Sequence, residues 1–268
     1  MSTLTADRPV VVPRERQAYA PIPTSRLIAV ELRKMFDTRS GSWLVRSIAI
    51  LAVMATAATI AFAPEEAQTF GTFASAIGFP MAVVLPMVAI LSVTSEWSQR
   101  SGLTTFKLVP HRGRVVAAKA ACAVGVGVVS MFLALGIGAL GNVVGTAISG
   151  APTVWDVTVT EFGAIVLATV LGMLVGFTLG VLIRSSPGAI VGYFVYSMAL
   201  PTVFGFLAAF SDWFRDLQPW VDFNFAQTRL YDADMTGEMW AQLGVSSLPW
   251  LVVPLILGLW LVIRSEVK

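Results

Sequence analysis

Six stretches of this chain each run for about eighteen residues or more with almost no charged side chain, at roughly residues 43–63, 73–94, 115–140, 162–183, 188–210 and 246–263. A helix rises about 1.5 Å per residue, so about 20 apolar residues cross the hydrocarbon core of a bilayer. In lipid the backbone must satisfy its own N–H and C=O groups, which a helix does within one segment. Composition agrees: hydrophobic residues make up 56% of the sequence and charged residues 13%, with a mean hydropathy of +0.77. A water-soluble fold of that composition would lack the polar residues to cover its apolar surface. The sequence therefore predicts an all-α membrane protein with six transmembrane helices.

Basic residues are retained on the cytoplasmic side of a membrane. With the N-terminus inside, every one of the 18 Lys and Arg except Arg215 and Arg229 is cytoplasmic, so both termini are placed in the cytoplasm. Residues 1–24 are polar and Pro-rich, with no signal-peptide core, and read as a disordered cytoplasmic tail. Residues 25–40 read as an amphipathic helix lying in the membrane interface. Within "SRLIAVELRKMFD", Ile28, Leu32, Met35 and Phe36 share one face, with Arg39 and Arg46 following at headgroup level. Residues 41–268 form the six-span domain.

Gly172, Gly176 and Gly180 make a doubled GxxxG in the fourth run, a face for close helix packing within the chain or across a dimer. Pro80 and Pro86 in the second run, Pro201 in the fifth, and Pro249 and Pro254 in the sixth mark kinks or breaks. Residues 211–245 form the longest outside segment and mix Trp213, Trp220, Phe223, Phe225 and Trp240 with carboxylates. They read first as an interfacial aromatic belt, and second as short helices dipping back toward the membrane.

Chemistry is scarce. No GxxxxGK[ST] phosphate loop occurs. His111 is the one histidine and Cys122 the one cysteine, so neither a metal site nor an internal disulfide is expected. A formal charge of +2 does not suggest nucleic acid. No charge stands at mid-depth in the six runs: Arg46 and Lys119 lie near cytoplasmic ends and Glu161 near an outer one. A proton-coupled carrier would lack its titrating group. Uphill transport by this chain would draw its energy from another subunit, and the chain itself is not expected to be an enzyme.

Residues 95–119, "SEWSQRSGLTTFKLVPHRGRVVAAK", are the one sizeable cytoplasmic segment between spans. They resemble the cytoplasmic loop of bacterial ABC-2-type permeases, the membrane subunits of ATP-binding-cassette exporters. In that family an acidic residue and an aromatic close the second span, here Glu96 and Trp97. A Gly and threonines follow, here Gly102, Thr104 and Thr105, and then Pro110, Arg112, Arg114 and Lys119 lead into the third span. Leu103 stands where many members carry Thr. "ELRKMFDTRSGSWL" resembles the family's elbow helix, and "WLVVPLILGLWLVIRSEVK" the close of its Arg-rich actinobacterial members.

The resemblance implies a coupling helix within residues 97–108, seated on a cytoplasmic ATPase. Trp97, Leu103 and Phe106 would be apolar anchors, and Arg100, Lys107 and Arg112 partners for carboxylates. Arg114 and Lys119, at the start of the third span, read better as membrane-surface residues facing lipid headgroups. The resemblance further implies two ATPase subunits carrying ATP and magnesium, a second permease subunit in a homodimer, and a bacterial cell membrane as the location. A membrane scaffold recruiting a cytoplasmic partner is the second reading, and an ion-coupled secondary carrier the third.

Overall fold

Each apolar run folds as a helix long and apolar enough to cross a membrane: Gly41–Phe62, Phe70–Ser95, Gly113–Ser149, Val159–Ile183, Ser186–Phe210 and Gly237–Arg264, hereafter spans one to six. The computed structural model describes residues 22–37, 39–98, 112–232 and 234–264, and among them every regular element is helical, with no strand. Two spans outrun their apolar cores. Span three continues to Ser149, and in its last turns Thr146 donates to the Asn142 carbonyl at 2.7 Å and the Asn142 amide to that of Val154 at 2.9 Å. Span six starts at Gly237, where exposed Glu238 and half-buried Gln242 bond to each other across one turn and break up the apolar pattern.

Span four is the most buried of the six and packs against spans two and six. Its glycines explain the closeness. A Cβ on Gly176 would stand 3.0 Å from the Pro86 carbonyl oxygen, and one on Gly180 would stand 3.3 Å from that of Ile90, both on span two. On span six, a Cβ at Gly258 would meet Val181 at 3.0 Å. Most of the doubled GxxxG face is thus used inside the chain. Around it Met81, Leu85, Met173, Phe177, Val181 and Val262 share one apolar core.

The ends of span four are set by local chemistry. Thr158 accepts from the Glu161 N–H at 3.2 Å while the Glu161 carboxylate accepts from the Thr158 N–H, a capping box. Thr158→Ala should therefore lower stability by about 1 kcal/mol in thermal unfolding of the purified protein. At the other end Arg184 adopts the left-handed conformation with φ 57°, its N–H bonded to the Gly180 carbonyl, and the Ser185 hydroxyl caps the start of span five.

Spans five and six each contain one widened turn with a backbone bond from residue i+5 to i: Leu200 N–H to the Val195 carbonyl, and Val253 N–H to that of Leu248. Each ends one residue before a proline, Pro201 and Pro254. A proline has no N–H to give and its ring crowds the carbonyl four residues back, so the helix opens a turn there instead of breaking. Pro80 and Pro86 are absorbed within a continuous span two.

Candidate functional site

Two places concentrate polar groups inside this apolar bundle. The first lies at the end that carries the leading helix, Thr24–Asp37. That helix places Leu27 and Glu31, one turn apart, on a buried face, and Leu27 packs on Val115 and Ala118 of span three. Ile28, Leu32 and Phe36 lie on the neighbouring face and stay exposed, with Met35 half-buried. Among the described residues nothing covers these three positions of the stripe predicted to meet the membrane surface.

Lys119 is placed differently from its predicted position among lipid headgroups. It is 4% exposed, with its ammonium 2.5 Å from Glu31 Oε2 and 3.3 Å from the Ser92 carbonyl of span two. Glu31 Oε1 also accepts from Lys34 at 2.9 Å. Position at the start of a span suggested a surface role for Lys119, but a carboxylate folded back from the leading helix gives it a buried partner. Arg114 also turns to protein, donating to the Ile22 carbonyl at 2.8 Å and the Thr24 hydroxyl at 3.0 Å. Two basic residues of span three thus hold the leading helix, and Lys119 joins it to span two as well.

Of the predicted coupling residues, Arg100, Gly102, Leu103, Thr104, Thr105, Phe106, Lys107 and Pro110 lie outside the described residues. Glu96 and Arg112 close and open the flanking helices. Trp97 packs partly buried against the main core, under the Arg184 guanidinium at 5.9 Å. Burial draws the Arg184 pKa down from its ordinary value, and two of its buried nitrogens have no hydrogen-bond acceptor among the described residues.

The second place lies between spans two, four and five, and apolar-run reading passes over it. After span five the chain does not simply skirt the bundle. The Ser211 hydroxyl caps a helix at Asp212–Val221, and the Asp222 side chain caps a shorter one at Phe223–Thr228. Asp222 is buried, its carboxylate accepting from the Gln218 amide at 3.1 Å and the Phe225 N–H at 3.0 Å. Trp250, in the widened turn of span six, donates to the Val221 carbonyl at 2.7 Å and stacks near Tyr196 in the widened turn of span five, ring centroids 5.7 Å apart.

From the shorter helix Gln227 donates to the Ala168 carbonyl at 2.7 Å. Ala168 is nine residues beyond the first residue of span four, so this bond forms roughly 14 Å along the helix axis. Of the two readings of residues 211–245, short helices folded back into the bundle describe residues 212–228. Between them and spans two, four and five lies a cavity of about 220 Å³, lined by Pro86, Thr169, Gly172, Tyr193, Asn224 and Gln227 among others. Gly172 is the one glycine of its motif facing this space: a Cβ there would meet only the Gln227 amide at 3.4 Å and the Tyr193 hydroxyl at 3.5 Å. Tyr193 donates to the Ala82 carbonyl at 3.3 Å across the cavity wall. Compared with known proteins, the sequence matches no family model and no curated protein.

Proposed function

We propose that the chain is the membrane subunit of an ATP-driven exporter of the ABC-2 type, working as a homodimer in a bacterial cell membrane with both termini in the cytoplasm. ATP and magnesium bind a separate cytoplasmic ATPase, two copies per complex, and this chain supplies the path rather than the catalysis. The motif at residues 95–119 carries the reading, and the Lys119 junction supports it. The two helices that flank residues 99–111 are held to each other and to the leading helix by one side chain. A push delivered at that segment by a closing ATPase would move span two, span three and the leading helix together. Spans five and six expose apolar faces, including Val191, Val203, Phe206, Ile256 and Trp260, which lipid or a second copy would cover.

Purification from the native membrane in mild detergent is expected to recover a stoichiometric partner with a phosphate-binding loop. Arg100→Glu with Lys107→Glu and Phe106→Ala should cut substrate transport at least tenfold while the chain stays in the membrane and its partner still hydrolyses ATP. Unchanged transport by that variant, or a chain that purifies alone, would overturn the proposal and favour a scaffold.

A further inference from the structure

The cavity between spans two, four and five narrows what the path can carry. Among the described residues no Asp, Glu, Lys, Arg or His lines it. Its polar groups are amide and hydroxyl: Gln227, Asn224, Tyr193, Tyr231, Thr169 and Ser197. Near the middle of a bilayer an ion without a counter-charge is disfavoured, so the site suits a neutral ligand. Gln227 uses its amide N–H on Ala168, and its Oε1 is fully buried with no donor among the described residues. That oxygen has no surface open to the cavity, so a ligand hydroxyl would pair instead with Asn224 and Ser197, which line it.

Size and rim supply the rest. At about 220 Å³ the cavity falls below the several hundred cubic ångströms usual for a whole drug-sized molecule. It fits a head group. At its rim stand Phe79, 80% exposed, and Met198, 64% exposed, with Phe194 beside them, all on the outer face of the bundle. Both Ala82 and Gly172 fall near the middle of their spans, so this opening lies at the depth of acyl chains rather than of water.

We propose that the cavity holds the uncharged, hydroxyl-bearing head of a lipid-like amphiphile whose chain lies along Phe79, Phe194 and Met198. The hydroxyl of the head pairs with Asn224 and Ser197. As cargo this molecule rests on the permease reading; as a ligand it does not, and binding is measured without any ATPase.

The test uses the full chain in phosphatidylcholine nanodiscs with radiolabelled 1-oleoylglycerol, competed by oleate and by oleoylcholine, which share the chain and carry opposite charges. Saturable binding of one 1-oleoylglycerol per chain is expected, with both charged competitors at least tenfold weaker. Gln227→Leu replaces a polar group of the lining with an apolar one and should weaken binding at least tenfold. Because it also removes a bond to span four, Met198→Trp, which narrows the exposed rim without entering the core, should do the same with unchanged thermal unfolding. Absence of saturable binding, equal competition by oleate, or full binding by Met198→Trp would overturn the assignment. Success here with no ATPase partner found would leave the site standing and remove the exporter reading.

Discussion

Lys119→Met should destabilise the protein by about 3 kcal/mol, the lower end of the roughly 3–5 kcal/mol seen when one member of a buried ion pair is removed. The substitution keeps the length and apolar stem of the side chain but deletes the ammonium. Glu31, 5% exposed, would then lose its buried partner, with Lys34 still beside it. Lys34 is 42% exposed and screened by solvent, so it offsets only part of the loss. The Ser92 carbonyl also loses a donor, loosening span two from the leading helix.

Thermal unfolding in detergent reads the effect, and the double variant Glu31→Leu with Lys119→Met separates pairing from packing. Replacing both charges with apolar groups of similar size is often close to neutral, so the double variant should recover most of the stability. Its transport is a different matter. If Lys119 relays motion from residues 99–111, the double variant should be stable yet transport poorly. A double variant as unstable as Lys119→Met would sink the account of a charge pair and leave a packing defect in its place.

The six spans were legible because a membrane-crossing helix writes itself as an uninterrupted apolar run, a signal that needs no tertiary information. Their ends were less so, since Asn142 and Glu238 belong to helices that apolar content alone truncates. The leading helix was legible as amphipathic, but its wheel has two usable faces. Ile28, Leu32 and Phe36 draw the eye by hydrophobicity, whereas the face that packs holds Leu27 and the charged Glu31.

The partner of Glu31 is 88 residues away, and no local spacing connects them. One clue was present: a lysine seven residues into the span-three helix, among Val and Ala, is costly unless something answers its charge. The cavity was hidden for another reason. Residues 212–228 carry enough carboxylates and amides to fail any test for a span, and they enter the bundle where Ser211 and Asp222 cap their helices and the Gln227 amide reaches a carbonyl of span four. The clue there is composition: Asn224 and Gln227 interleave with Phe223, Phe225 and Ala226, neutral polar groups among aromatics rather than a solvated run of charge.

Gly176→Leu is expected to act on the fold of the single chain. Its Cβ would stand 3.0 Å from the Pro86 carbonyl oxygen and 3.2 Å from Pro86 Cβ, so span two must move before any further atom is placed. Overpacking of this kind costs about 1–3 kcal/mol and occasionally more; here the obstacle is backbone fixed beside a proline, so about 3 kcal/mol is expected. Close approach through small residues is also what holds helices together where lipid offers apolar surface as good as protein. Displacement of span two would in turn distort the cavity, since Pro86 lines it.

Neighbouring glycines give the controls. A Cβ at Gly163 meets nothing within 4 Å, so Gly163→Leu should unfold like the parent chain, and Gly172→Ala makes only ordinary contacts with two side-chain ends. Thermal unfolding of the three variants should rank Gly176→Leu far below the other two, at any protein concentration. A Gly176→Leu chain that unfolds normally but fails to pair with a second copy would instead assign this glycine face to the interface between subunits, and the packing of spans two and four would need another explanation.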